Sequence, residues 1–115
     1  MQPNHKLYRW INPTKKFYNP KLERVTTEVF RLRPDKEKEL SVYWSLFITP
    51  LGVKHLSDKE ETGIASVKVK QFKSLNLKPK YENTHKAHVN VYGEFDEEQC
   101  HRLAEIAVVE IPADL

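Results

Sequence analysis

Short runs in which apolar and polar residues alternate recur along this chain and limit the folds open to it. They lie at 6–11, where the alternation is imperfect, and at 40–45, 64–70 and 88–92. Because side chains on a β-strand point alternately to opposite faces, each run predicts a strand with one buried face. At 115 residues the chain most simply forms one domain, 1–115, with a single core.

The stretch 23–33 is predicted to add another strand, because β-branched and aromatic residues are frequent in it. A polar connection, 34–39, separates it from the run at 40–45. Two strand-like runs joined by a connection of this length are typical of an antiparallel hairpin. We therefore expect these two stretches to pair with each other.

Two segments carry helix signals. Thr49 is a suitable cap and Pro50 suits a first helical position, which predicts a short helix. Asp96 with Gln99 resembles a capping box, and apolar residues then recur at helical spacing to residue 107. The predicted class is α+β: one small domain with a mostly antiparallel sheet of about five strands, a C-terminal amphipathic helix and one short helix.

Charge is divided sharply along the chain. Residues 6–33 carry eight basic and two acidic side chains, a local charge of +6, and residues 66–88 carry six lysines and one glutamate, or +5. Residues 94–115 carry seven acidic side chains and one arginine, or −6. Since basic surfaces attract polyanions, this division favours a nucleic-acid or acidic protein partner.

Five basic residues are interpreted as nucleic-acid-binding. Arginine binds phosphate as a fork, and the aromatic residues Tyr8 and Trp10 beside Arg9 could stack on bases. On a regular strand, however, the two rings face away from Arg9, and the alternative is that they pack in the core while Arg9 is solvated. In the predicted strands Arg31 and Arg33 share one face, as do Lys68 and Lys70. The hypothesis requires these stretches to meet on one side of the molecule; otherwise the lysines form an ordinary solvated face.

His88 and Tyr43 are the catalytic candidates. Imidazole titrates near neutrality, so His88 could act as a general acid or base, with Tyr43 donating a hydroxyl and Arg9 or Arg31 holding a phosphate. A structurally bonded histidine is the alternative. His85 would face away from His88 on a strand, so no metal site is expected. No cofactor is expected, because three glycines supply no glycine-rich phosphate loop.

The single cysteine, Cys100, cannot form an internal disulfide and fits a reducing compartment. No apolar run approaches the roughly 20 residues that span a bilayer, and the first residues lack a secretory signal. The sequence therefore predicts a cytoplasmic protein without a membrane partner.

Several short segments, taken in order, resemble small uncharacterised bacterial proteins of accessory and conflict loci. The resemblance implies a bacterial, cytosolic, stand-alone domain with a role in a defence or toxin-antitoxin system, and it carries no activity over to individual residues. The segments are Tyr8-Arg9-Trp10-Ile11, Val29-Phe30-Arg31-Leu32-Arg33, Leu40-Ser41-Val42, Thr49-Pro50, Ala87-His88-Val89 and Leu103-Ala104.

Three functions stay open on the sequence. The first is a non-catalytic module that binds nucleic acid or an acidic protein through its basic faces. The second is a small metal-independent, ribonuclease-like toxin. The third is a homodimer in which the acidic C-terminal helix of one subunit meets the basic body of the other.

Overall fold

The computed structural model describes residues 1–33, 35, 37–82 and 86–115. Six strands form one antiparallel sheet in the order β6-β7-β4-β1-β5-β8, and β2 and β3 form a separate two-stranded ribbon. The predicted α+β class is confirmed. The elements are β1 Lys6–Ile11, β2 Tyr18–Asn19, β3 Arg24–Val25, a 3-10 helix Thr27–Phe30, β4 Leu40–Trp44, α1 Pro50–His55, β5 Gly63–Lys68, α2 Val69–Ser74, β6 Lys78–Lys80, β7 His88–Tyr92, α3 Glu97–Ile106 and β8 Val108–Ile111.

One side of the sheet, the core face, carries the main hydrophobic core. In β4, Leu40, Val42 and Trp44 are buried, while Ser41 and Tyr43 between them are only partly buried. This is the alternation that the sequence predicts for a strand with one side in the core. The 3-10 helix, α2 and α3 all contribute buried side chains to the same core.

The other side of the sheet is divided into two halves. Helix α1 packs on β1, β5 and β8, where Val53 forms a second buried cluster with Tyr8 and Ile64. Trp10 fixes the edge of this cluster, because its indole Nε1 donates a hydrogen bond of 2.9 Å to the carbonyl oxygen of Val53. The half formed by β4, β7 and β6 keeps its side chains partly or fully exposed.

The hairpin predicted between 23–33 and 40–45 is wrong. Strand β3 ends at Val25, and the chain then turns into the 3-10 helix, whereas β4 pairs with β1 and β7. Val29 and Phe30 are adjacent and both belong to the main core, whereas on a strand they would point to opposite faces; a helical turn allows both to point into one core. As a result, Arg31 and Arg33 follow a helical turn and do not line a strand.

The strand predicted at 64–70 ends two residues early. Val69 begins α2, and the backbone N–H of Lys68 donates to the side-chain oxygen of Gln71 at 2.8 Å, which closes the first turn. Lys70 therefore lies on a helix and does not share a strand face with Lys68. The sequence pattern predicts one short helix besides the C-terminal helix, whereas the structure has both α1 and α2.

The helix starts at Thr49 and Asp96 are confirmed. The Thr49 hydroxyl accepts from the backbone N–H of Gly52 at 3.1 Å, and the Asp96 carboxylate accepts from that of Gln99 at 2.9 Å. The side chain of Gln99 does not complete a capping box. It donates to the carbonyl oxygen of Leu75, and so ties the start of α3 to the end of α2.

A partly buried ion pair joins β1, β5 and β8. Lys6 Nζ lies 2.9 Å from Glu110 Oε2, and the Ser66 hydroxyl donates to the same oxygen at 2.7 Å. Partial burial alone would raise the pKa of Glu110, but the hydrogen bonds from Lys6 and Ser66 and the Lys6 charge outweigh it and hold that pKa below its usual value.

Glu110→Gln should lower the free energy of unfolding by about 1 kcal/mol at pH 7, because it removes a charge-assisted bond between three strands. The contribution of Glu110 is present above the unfolded-state pKa of about 4.3 and is lost as the pH falls through the lower folded-state value. Urea denaturation from pH 7 to pH 2 should show the variant and the wild type converging in acid. Glu60→Gln, at an exposed position, serves as the control. A difference that does not change with pH would contradict this account.

Candidate functional site

Seven side chains lie on the uncovered half of the sheet, and we call this surface the open face. Register fixes their neighbours: Tyr43 lies opposite His88, and Asn90 lies between Ser41 and Lys80. Because directly opposed residues of an antiparallel pair share one face, these side chains form one continuous surface. The open face consists of Ser41, Tyr43, Lys78, Lys80, His88, Asn90 and Tyr92.

Rings form a row across three neighbouring strands. The ring centroid of Trp10 on β1 lies 5.9 Å from that of Tyr43 on β4, which lies 5.8 Å from that of His88 on β7. The Tyr43 and His88 rings meet edge to face, at an interplanar angle of 64°. Partial burial raises the pKa of the Tyr43 hydroxyl, and the charge of Arg9 lowers it by less. Because the net change is upward, this hydroxyl stays protonated at neutral pH.

Two lysines border this row on β6. Lys80 Nζ lies over the ring of Tyr92, 5.5 Å from its centroid, at the distance of a cation–π contact. The Tyr92 hydroxyl donates a hydrogen bond to Glu82, and this bond raises the pKa of Tyr92. Lys78 and Lys80 are exposed, and neither forms an ion pair with any carboxylate of the described residues. Positive charge therefore borders the rings.

The structure brings the two catalytic candidates together but separates them from Arg9. His88 and Tyr43 are neighbours on the open face. Arg9 alternates with Trp10 on β1 and so lies on the core face, where its Nε and Nη1 donate to the carbonyl oxygens of Val29 and Ser41, each at 3.0 Å. Arg9 thus does not reach a phosphate held at His88.

The three predicted arginines line one cleft, which we call the arginine cleft. It has a volume of about 350 Å³ and lies between β1, the 3-10 helix and the segment that follows it. Its walls include Arg9, Trp10, Lys16, Phe17, Arg31 and Arg33.

Carboxylates pair with two of these arginines. Arg31 Nε lies 2.9 Å from Glu28 Oε1, and Arg31 Nη1 lies 2.7 Å from Glu97 Oε2. Arg33 Nε lies 2.7 Å from Glu37 Oε1. Their charges are partly compensated within the protein, a condition that charge counts along the sequence do not reveal.

The predicted lysines lie elsewhere. Lys68 lies at the end of β5, opposite Lys6, and Lys70 is exposed on α2. Neither lines the arginine cleft or belongs to the open face. The five predicted nucleic-acid-binding residues therefore do not form one patch, and their role stays a prediction.

Sequence reasoning did not name five residues of the open face as site residues: Ser41, Lys78, Lys80, Asn90 and Tyr92. Alternation in 88–92 already places Asn90 and Tyr92 beside His88 on a polar face, so a signal for these two was present. Lys78 and Lys80 belong to the basic stretch 66–88, but Pro79 between them argues against a strand, so their place on a sheet face was not predicted.

Cys100 is buried in the core and does not supply a reactive thiol. Its sulfur lies 3.3 Å from the carbonyl oxygen of Phe30, and burial raises its pKa to about 11. Among the described residues, no group of three or more His, Cys, Asp or Glu side chains could hold a metal ion. His85 lies outside the described residues.

We expect the folded protein to resist thiol-specific alkylation at pH 8, because the Cys100 thiolate is both scarce and inaccessible. Mass spectrometry after a timed reaction should show little adduct in buffer and complete labelling in denaturing urea. Fast labelling of the folded protein would show that the packing between α3 and the 3-10 helix opens readily.

Comparison with protein-family models found no match, and neither did comparison with curated proteins or with solved structures. In the described part of the chain, no helix has the length and apolar character that a bilayer crossing requires.

Proposed function

We propose that the open face binds single-stranded nucleic acid. The observation that carries this proposal is a row of rings that runs from Trp10, at the edge of the α1 cluster, across Tyr43 and His88 of the open face, where exposed lysines border it. Sheets that present aromatic side chains to solvent are a recurrent platform for unpaired bases, because every base can stack on a ring.

Each part of the open face has a chemical role in this proposal. Tyr92 and His88 offer ring surface for stacking, which is worth about 1–3 kcal/mol per base in such proteins. Lys78 and Lys80 attract the phosphate backbone. Asn90 carries both donors and an acceptor, which suits the edge of an unpaired base.

An acidic protein partner fits this surface less well. The carboxylates of an acidic protein would need only the lysines. The open face also presents ring surface and the Asn90 amide, which lies between the lysines of β6 and strand β4. Base stacking uses the rings, and phosphate uses the lysines, so nucleic acid engages the whole surface. Competition by an acidic peptide is an outcome that the binding experiment can report.

The protein should bind a single-stranded oligonucleotide more tightly than a duplex, with an affinity that decreases steeply with salt because counterions are released. Lys80→Gln should weaken binding several-fold at low salt and reduce the slope of log K against log salt by about 1. Tyr92→Leu should weaken binding about fivefold or more through lost stacking, with a smaller change in slope. Fluorescence anisotropy at several salt concentrations measures both effects.

Lys70→Gln is the matched control, because Lys70 is an exposed lysine on α2 outside the open face. Its affinity should equal that of the wild type. Equal losses in Lys70→Gln and Lys80→Gln would place the interface elsewhere, and tighter binding of an acidic peptide than of the oligonucleotide would favour a protein partner.

The contact between His88 and Tyr43 supports a second candidate function, in which these two side chains cleave bound RNA. If the protein binds RNA without cleaving it, RNA should stay intact when it is incubated with the purified protein in the presence of a metal chelator. His88→Ala should then retain the fold and lose only part of the affinity. RNA cleavage that is present in the wild type and absent in His88→Ala would assign the ribonuclease-like function instead.

We place this binding activity in the cytoplasm, as part of a bacterial defence or toxin-related system. The buried free thiol of Cys100 suits a reducing compartment. The homodimer alternative differs in its salt response: light scattering without nucleic acid would show a mass that halves at high salt if the acidic and basic surfaces of two subunits meet.

A further inference from the structure

The arginine cleft contains a cation, Arg9, that forms no ion pair with a carboxylate of the described residues, although the charge of Glu37 acts on it. Arg9 is partly buried, and no carboxylate of the described residues lies within 4.0 Å of its guanidinium. Burial lowers the pKa of Arg9, yet a guanidinium stays protonated at neutral pH. Withdrawing such a charge from water without an opposite charge is unfavourable, so an anion in the cleft would be stabilised.

Arg9 also retains capacity to donate. Its guanidinium has five N–H groups, of which two donate to the carbonyl oxygens of Val29 and Ser41. Among the described residues, no side-chain nitrogen is both buried and without a partner. The terminal nitrogen for which no hydrogen bond is seen is therefore not fully buried, and Arg9 lines the cleft.

The surroundings of Arg9 are positive on balance. The cleft is lined by four cations and by the two carboxylates Glu28 and Glu37, and Glu97 pairs with Arg31 from outside the lining, which leaves a charge of +1. The pair between Arg33 and Glu37 is exposed on the arginine side, and surface pairs of this kind contribute only about 0–1 kcal/mol. A ligand anion can therefore compete for Arg33.

The volume of the cleft and the residues that line it limit the class of ligand that it can bind. A volume of about 350 Å³ lies at the lower end of small-molecule sites. Arginine forks match the oxygens of a phosphate, and Phe17 and Leu32 supply apolar side chains beside them. A nucleoside with a phosphate monoester presents both features.

We propose that the arginine cleft binds the phosphate monoester of a nucleotide. The monoester belongs either to a free mononucleotide or to the 5′ end of a strand held on the open face. The second source rests on the proposed function: Trp10 belongs to the lining of the cleft, and its ring contacts Tyr43 of the open face. The first source requires nothing of the open face.

The test is titration with adenosine 5′-monophosphate and, separately, with adenosine, in a buffer free of phosphate. Calorimetry gives the affinity, and backbone N–H signals in a nitrogen-15 correlation spectrum report the location. The signals of Arg9 and Arg33, which line the cleft, should shift on addition of the monophosphate, while that of Arg102, outside the cleft, should not. Adenosine should bind at least about tenfold more weakly.

Arg33→Gln and Arg102→Gln form a matched pair. Both arginines are exposed and bound to a glutamate four residues away, Glu37 and Glu98, but only Arg33 lines the cleft. Arg33→Gln should weaken binding of the monophosphate about fivefold or more, and Arg102→Gln should leave it unchanged. Lys16→Gln provides a second cleft variant, because replacing Arg9 itself also removes two hydrogen bonds of the fold.

Oligonucleotides with and without a 5′ phosphate distinguish the two sources. If adenosine monophosphate does not bind but the phosphorylated strand binds more tightly, and Arg33→Gln abolishes that difference, the ligand is a strand end. If the phosphate changes neither affinity, or if both arginine variants act alike, the inference is overturned. If oligonucleotides bind equally well with and without the 5′ phosphate, the open-face proposal still holds. If the mononucleotide binds but oligonucleotides do not, only the proposal for the arginine cleft holds.

Discussion

Two hydrogen bonds from the Arg9 guanidinium connect parts of the fold that are distant in sequence. Arg9 lies between Leu7 and Ile11 on the core face of β1, and both of these neighbours are buried. A polar group there must find partners, and it finds the carbonyl oxygens of Val29 and Ser41. The 3-10 helix is thereby fixed relative to β1 and β4. The arginine cleft follows from this arrangement, since the chain leaving the 3-10 helix forms one of its walls.

The parts of the fold that follow from local physical rules could be predicted from the sequence. Strand β4 shows strict alternation because one face is buried, and α3 begins at Asp96 because that carboxylate satisfies a free backbone N–H. The stretch 23–33 could not be predicted in this way. Its β-branched residues suit a strand, but the adjacent Val29 and Phe30 both gain a place in the core only through a helical turn.

The candidate sites depended on information that no single segment contains. Alternation groups His88 with Asn90 and Tyr92, but the contact between His88 and Tyr43 results from the pairing of β7 with β4. A hairpin between 23–33 and β4 would have placed other residues beside Tyr43. Likewise, the pairing of Arg31 with Glu97 joins residues far apart in the chain, so counts of charge within segments overstate how much of the positive charge is uncompensated.

The sequence Lys78-Pro79-Lys80 at the outer edge of the sheet has a consequence for how ligands and other molecules approach. Proline has no N–H to offer a neighbouring chain, and two lysines repel another basic edge. Pairing of another strand with this edge is therefore disfavoured, which opposes edge-to-edge aggregation of the protein at high concentration. An extended ligand of the proposed kind would instead lie across the strands, where side chains supply its contacts.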